Sequence, residues 1–394
     1  MGWEMTKLAS NSSLVRWLTA LVLACFVTPA LAQNFQTKAK QALLMDYESG
    51  TVLYQKNADQ LMPPASMAKL MTMEVVFNAI KTGELDFDTP FRISADVWRR
   101  GGANSGGSTM FAVLNSDIRL EDLIRGVIIQ SGNDAAMAIA EGMAGSETAF
   151  AGLMNIRARK IGLEDSNFTN STGLPDPDQR VTARDLAKLA RHLIMTYPEL
   201  YKIYSETEFR WNKVNQRNRN PILGKVAGAD GLKTGYTEAS GYGMVGSAEQ
   251  NGRRIIMVLN GMASKRERSN EAVKMMRWSF RAFKPIDLFE DGEIVGEAGV
   301  YGGEKSGVEL KARGPLKIFV PIGFQDRLKA DIVFTGPIMA PVEAGDRLAK
   351  LQIMMDGKIT QETPLYAAED VAEGTITQKA MDAMQELIVS VFRF

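Results

Sequence analysis

The order of apolar and polar positions changes character several times along this chain. From Gln41 to Tyr54 it reads strand, turn, strand: Ala42-Leu43-Leu44-Met45 is apolar, Glu48-Ser49-Gly50 turns, and Thr51-Val52-Leu53-Tyr54 returns. Pro63-Pro64 interrupts regular structure. Leu70, Met73, Phe77 and Ile80 then recur at helical spacing, which predicts a helix from about Ser66 to Lys81-Thr82-Gly83. Leu120, Leu123, Ile124, Val127 and Ile128 predict a second helix over Leu120 to Ile129, and another begins near Asp134. Thr182 is placed to cap a third over Ala183 to Met195.

Beyond Gly231 the period shortens to that of strands. Gly243 to Ala248 and Arg254 to Leu259 form a predicted hairpin turning at Asn251-Gly252. A helix over Glu271 to Phe283 follows. From Leu288 to about Ala368, short β-type runs such as Lys317-Ile318-Phe319-Val320 and Asp331-Ile332-Val333-Phe334 alternate with Gly, Pro and Asp, which predicts a small all-β domain. Gly101 to Ser108, rich in Gly and Ser, reads as a flexible connection at the surface, or else as the rim of a cleft.

The two ends have their own patterns. Lys7 and Arg16 precede an apolar run from Trp17 to Val27, and Pro29 precedes Ala30-Leu31-Ala32. This predicts an export signal over residues 1–32, with an apolar stretch too short to span a bilayer. At the other end Ala380, Met381, Met384, Leu387, Ile388, Val391 and Phe392 fall on one helical face. An amphipathic helix over residues 375–394 would lie in a membrane interface rather than cross the bilayer.

Composition removes several function classes. Lys+Arg and Asp+Glu are both 46, so no global charge recruits nucleic acid. Cleavage after Ala32 would remove two basic residues and one acidic one, leaving 44 against 45. It would also remove the only cysteine, Cys25, which suits an oxidising compartment. One Cys and one His cannot make a zinc cluster. The single His192 sits in an amphipathic helical stretch, so a serine nucleophile here needs another base.

Three short motifs supply that chemistry in order: Ser66-Met67-Ala68-Lys69, Ser131-Gly132-Asn133 and Lys233-Thr234-Gly235. Their order and separation point to serine acyl transfer of the penicillin-recognising type. Lys69 stands one helical turn from Ser66 and can take its proton once burial, with Lys233 as a second cation, makes it neutral. The N–H of Ser66 would supply half of an oxyanion hole. Lys233 and Thr234 suit a substrate carboxylate, Gly235 leaves room for an added strand, Ser131 could relay a proton, and Asn133 could hold an amide. Two copies of familiar strings are rejected. Lys81-Thr82-Gly83 is a helix end, and Gly241-x-Gly243-x-x-Gly246 has no helix after it.

These residues resemble the low-molecular-mass penicillin-binding D-alanyl-D-alanine carboxypeptidases, from the signal segment to the terminal helix. The resemblance implies an α+β fold: a serine β-lactamase/DD-peptidase-like catalytic domain (33–285), an antiparallel sheet with helical clusters, then a small all-β domain (286–372) and the terminal helix. It implies acylation of Ser66, Lys69 as base, and a second oxyanion donor in the N–H of Tyr236. Arg219, upstream of the third motif, resembles a family arginine that binds the substrate carboxylate. The implied partners are peptidoglycan stem peptides and β-lactam antibiotics, with no metal or organic cofactor. The implied location is the periplasmic face of the inner membrane. A DD-endopeptidase acting on crosslinks and a non-enzymatic wall scaffold remain alternatives. A β-lactamase is disfavoured: between the second and third motifs the nearest match to a deacylating Glu-x-x-Leu-Asn string is Glu164-Asp165-Ser166-Asn167.

Overall fold

The computed structural model describes residues 35–322 and 327–380. The proposed signal and most of the terminal helix lie outside them. Within residues 376–380 the backbone is already helical.

Strands β1 (Gln41–Asp46), β2 (Val52–Lys56), β7 (Ala229–Thr237), β8 (Gly241–Gln250) and β9 (Arg253–Met262) make one antiparallel sheet in the order β2-β1-β9-β8-β7. The β8–β9 hairpin turns where the sequence predicts. Asn251 and Gly252 have φ of 52° and 75°, the two positive values a two-residue turn of the favoured twist requires. Two small two-stranded sheets pair β3 (Pro90–Arg92) with β4 (Asp117–Arg119) and β5 (Glu208–Trp211) with β6 (Val214–Arg217). This topology places β7, carrying Lys233 to Tyr236, at the sheet edge, where a ligand strand could add.

The helices pack as a cluster whose core includes Leu70, Met73, Phe77, Leu123, Ile124, Met137, Leu186 and Leu193. The Lys69–Thr82 helix follows a tight turn over Ala65–Ala68 and ends at Gly83, φ 77°. The rejected Lys81-Thr82-Gly83 string is therefore a helix terminus. The Leu120–Arg125 α-helix continues as a π-helical turn over Gly126–Gln130, which brings the chain to Ser131. The Asn133–Ala144 helix is buried over its first eight residues. Thr182 caps the Ala183–Thr196 helix by accepting a bond from the Asp185 N–H.

Two expectations need correction. The helix placed at Glu271 to Phe283 spans Lys265–Ala282. Its true start is marked by Ser264, which accepts a bond from the Glu267 N–H, while the Glu267 carboxylate accepts the Ala263 N–H. The helices Ala95–Gly101 and Glu147–Lys160 were not anticipated, although Ser94 and Ser146 each cap one through a side-chain oxygen. The Glu147–Lys160 helix buries only four of its residues, so its apolar period is faint in the sequence.

From Phe283 to Ala367 the named elements are all strands. A six-stranded sheet combines β14 (Leu328–Phe334), β16 (Arg347–Met355), β17 (Lys358–Ala367), β12 (Gly307–Lys311), β11 (Ile294–Tyr301) and β15 (Ile338–Met339) in that order, and β10 (Phe283–Phe289) pairs with β13 (Leu316–Pro321). Val308, Leu310, Ile318, Leu351 and Leu365 belong to a separate apolar core.

Candidate active site

Ser66 lies in the tight turn before its helix. Ala65, just ahead of it, has φ 47°, a left-handed conformation unusual for a residue with a Cβ. The neighbouring segment fits this turn only with a glycine. At Gly173, φ 81°, a Cβ would stand 1.9 Å from the Ala65 carbonyl oxygen. On the other side a Cβ at Gly235 would stand 3.0 Å from the Pro64 carbonyl oxygen and 3.2 Å from the Ser66 nitrogen. The candidate nucleophile is thus gripped between the 170–173 turn and edge strand β7. The space at Gly235, expected to admit a substrate, is first needed by this backbone approach.

Lys69 is 1 % exposed. Its Nζ lies 3.2 Å from Ser66 Oγ, 2.8 Å from Asn133 Oδ1 and 2.6 Å from the Thr172 carbonyl oxygen. Burial, assisted by the charge of Arg219, pushes its pKa down to about 7, while Glu147 and Asp134 pull the other way. Arg219 is thus a cation acting on Lys69, alongside Lys233, whose own charged form Lys69 disfavours. Arg219 takes this part because its guanidinium reaches into the cleft and donates to Ser108 Oγ at 2.6 Å.

Ser131 ends the wide turn with φ 65°, and its buried Oγ has no hydrogen-bond partner among the described residues. A buried hydroxyl without a partner is costly unless a ligand supplies one. Next to it the Asn133 N–H donates to the Ser108 carbonyl. The buried Asp134 carboxylate accepts bonds from the N–H groups of Met110, Ala112 and Ala135 and from Thr109 Oγ1. The Gly101–Ser108 stretch, read first as a surface connection, is thereby the cleft rim. Its Gly107 has no room for a Cβ, which would meet Asn133 Nδ2 at 2.8 Å.

Lys233 and Thr234 are buried on β7, and Lys233 Nζ donates to the Thr234 carbonyl at 3.2 Å. Burial, then the charges of Lys69, Arg219 and Arg268, hold Lys233 well below the usual lysine range. Arg268 is lowered to about 10, chiefly by burial. The site thus holds an excess of positive charge that an incoming carboxylate would relieve. Tyr236 is half exposed and stacks on Tyr242, ring centroids 4.1 Å apart, leaving its backbone to serve the cleft.

Residues 28–263 match the family described as D-alanyl-D-alanine carboxypeptidase, and residues 283–373 match the C-terminal domain of penicillin-binding protein 5. The chain is a D-alanyl-D-alanine carboxypeptidase by family. It is 38% identical over 381 residues to the Escherichia coli carboxypeptidase DacC, covering 94% of this chain and 95% of that one. With DacA of Haemophilus influenzae it shares 37% identity over 395 residues, 98% of each. The crystal structure of penicillin-binding protein 5 from H. influenzae superposes with TM-score 0.72 at 38% identity, covering 86% of this chain and 99% of that one. Penicillin-binding protein D2 of Listeria monocytogenes, solved in an ampicillin-bound form, matches at 30% identity with TM-score 0.57, over 63% of this chain and 99% of that one.

A serine D-Ala-D-Ala carboxypeptidase has no need of its histidine. His192 bonds to Thr196 Oγ1 at 3.2 Å and lies 3.3 Å from the Glu74 carboxylate, a structural placement. The Gly241–Gly246 string is strand β8. Glu164 is exposed. Sequence reasoning missed four contributors to the carboxypeptidase site: Ser108, Thr172, Glu147 and Arg268. Thr172 acts through its carbonyl, which no motif can reveal.

Proposed function

We propose that Ser66 is the residue acylated when this carboxypeptidase releases D-Ala, and that Lys69 is its base. One observation carries the reading: Lys69 Nζ lies 3.2 Å from Ser66 Oγ with its pKa lowered to about 7, so near neutral pH a large fraction is the free amine. Ser66 Oγ attacks the carbonyl of the penultimate D-Ala of a peptidoglycan pentapeptide stem, and Lys69 takes its proton. The N–H groups of Ser66 and Tyr236 hold the oxyanion. The proton held by Lys69 is relayed through Ser131, which gives its own and takes that one, to the departing amine as the C–N bond breaks, and terminal D-Ala leaves. Water then cleaves the ester and regenerates Ser66.

Lys233, Thr234 and Arg219 bind the terminal carboxylate, Asn133 holds a stem amide, and Gly235 keeps β7 close to the Ser66 turn. β-Lactams acylate the same oxygen. Residues 1–32 direct export, residues 33–285 carry catalysis, residues 286–372 form the β domain, and residues 375–394 anchor the enzyme peripherally on the periplasmic face of the inner membrane.

The test is D-Ala release from a D-Ala-D-Ala-terminated stem peptide by protein lacking residues 1–32, with a Ser66→Ala control. Release that vanishes in the control supports the assignment. Release that survives it removes Ser66 from the reaction, and covalent penicillin binding without release points to crosslinked substrates and the endopeptidase.

A further inference from the structure

Away from the Ser66 cleft, a second cavity of about 650 Å³ opens between the Ala183–Thr196 helix and the strands after Phe283. None of the residues assigned above to D-Ala release lines it. Its walls carry Arg184, Lys188 and Arg191 from the helix, and Arg313 and Lys317 from the β domain, against Glu48 and Glu362. Its size and its position between two apolar cores are those of a ligand site.

The charges in this cleft are unevenly balanced. Arg184 is paired with Asp59, Lys188 with Asp185 and Lys317 with Asp287, while Glu362 is taken by Lys350. Arg191 donates to the carbonyl oxygens of Tyr47 and Glu48, and Arg313 lies over the Tyr366 ring at 4.0 Å. Among the described residues neither guanidinium is paired with a carboxylate. Two arginines facing a common cavity, one from each wall, without acid partners, are the arrangement that takes an anion.

The spacing selects the kind of anion. Arg191 and, about 10 Å along the same helix, the Asp59-paired Arg184 stand on one wall. Arg313 and Lys317 face them from the opposite side. A compact phosphate would need its donors to converge on one point. Charges spread over both walls, with Pro315, Leu316 and Phe319 between them, suit an extended chain bearing separated carboxylates. We propose that this interdomain cleft is a second binding site for the carboxylate-bearing stems of a peptidoglycan strand, holding the polymer while a neighbouring stem enters the Ser66 cleft. This rests on the carboxypeptidase reading of that cleft.

The experiment measures binding of soluble, uncrosslinked peptidoglycan strands to the full chain carrying Ser66→Ala, with and without Arg191→Gln plus Arg313→Gln. The double variant in the Ser66 background is also run on a short N-acyl-D-Ala-D-Ala peptide. Arg191 braces the β1–β2 turn, so Arg313→Gln with Lys317→Gln is made as a second pair that leaves this brace intact. The expected result is strand binding weakened at least about fivefold in both pairs, weakened also by added salt, with turnover of the short peptide unchanged. Strand affinity equal to the parent's in the second pair overturns the proposal. So does displacement of bound strands by inorganic pyrophosphate at concentrations where acetylated stem peptide does not compete, because the cleft would then be a phosphate site. Failure of the parent enzyme on the short peptide would instead reject the reading of the Ser66 cleft, and strand binding still reports on this one.

Discussion

The Nζ of Lys69 lies 2.6 Å from the carbonyl oxygen of Thr172. This contact fastens the proposed base to a turn that is itself held from outside the cleft. Asn170 Oδ1 accepts the N–H groups of Thr172 and Gly173, and Glu147 accepts both the N–H and the hydroxyl of Ser171. Asn170 and Glu147 thereby help position the base through the turn, beside the direct bond from Lys69 to Asn133.

The pH dependence follows from the state of Lys69. With Lys69 as the proposed base, the free amine is the working form, and it is lost as pH falls through about 7. The acid limb of kcat/KM for a stem peptide should therefore have its midpoint near pH 7, with activity rising above it. A midpoint near 4 would indicate a carboxylate base instead.

Arg219→Gln should act in two ways. Removing its charge relieves Lys69, so the acid limb moves to higher pH. Losing a donor to the substrate carboxylate should raise KM about tenfold, roughly 1.4 kcal/mol. A raised KM with an unmoved limb would separate Arg219 from the base.

Glu147→Gln should shift the limb the other way, because the Glu147 charge raises the Lys69 pKa. The variant also weakens the bonds to Ser171 and to Arg100, and the hydrogen-bond loss should cost about 1–3 kcal/mol of stability. A pH profile identical to the parent's would contradict the electrostatic part.

Gly235→Ala tests the grip on the Ser66 turn. Its Cβ would sit 3.0 Å from the Pro64 oxygen, so strand or turn must give by a few tenths of an ångström. Penicillin acylation should slow on the order of tenfold, since small misplacements at a reacting centre are costly. The melting temperature should change little. Unaltered acylation would show that the approach of β7 to the turn is not critical.

Asp134→Asn should be a stability variant. Each carboxylate oxygen accepts two bonds, and an amide NH2 would face the Ala112 N–H or the Met110 N–H, donor against donor. The expected loss is about 2–4 kcal/mol, read as a lower denaturant midpoint.

Much of this was legible in the sequence because it is local. Ser66 and Lys69 are one turn apart, so their spacing alone implied contact. Asn251-Gly252 names its own turn, and Thr182 its own cap. The rest depended on partners distant in the chain. Arg219 reaches Ser108 across more than a hundred residues, and the Gly101–Ser108 rim has no periodicity to distinguish it from a plain loop. Ser264 and Glu267 were a readable capping box, and the helix start was misplaced only because the apolar pattern begins later than the backbone does. Arg219 as a cation beside Lys69 was not legible, because sequence order cannot tell which positive groups point into the same cleft.

The most direct measurement is a peptide map of the full chain after brief exposure to penicillin. The account predicts one penicilloyl group, on the peptide containing Ser66, absent from Ser66→Ala and slow to be released. Label on another serine, or none on a folded protein, would contradict it.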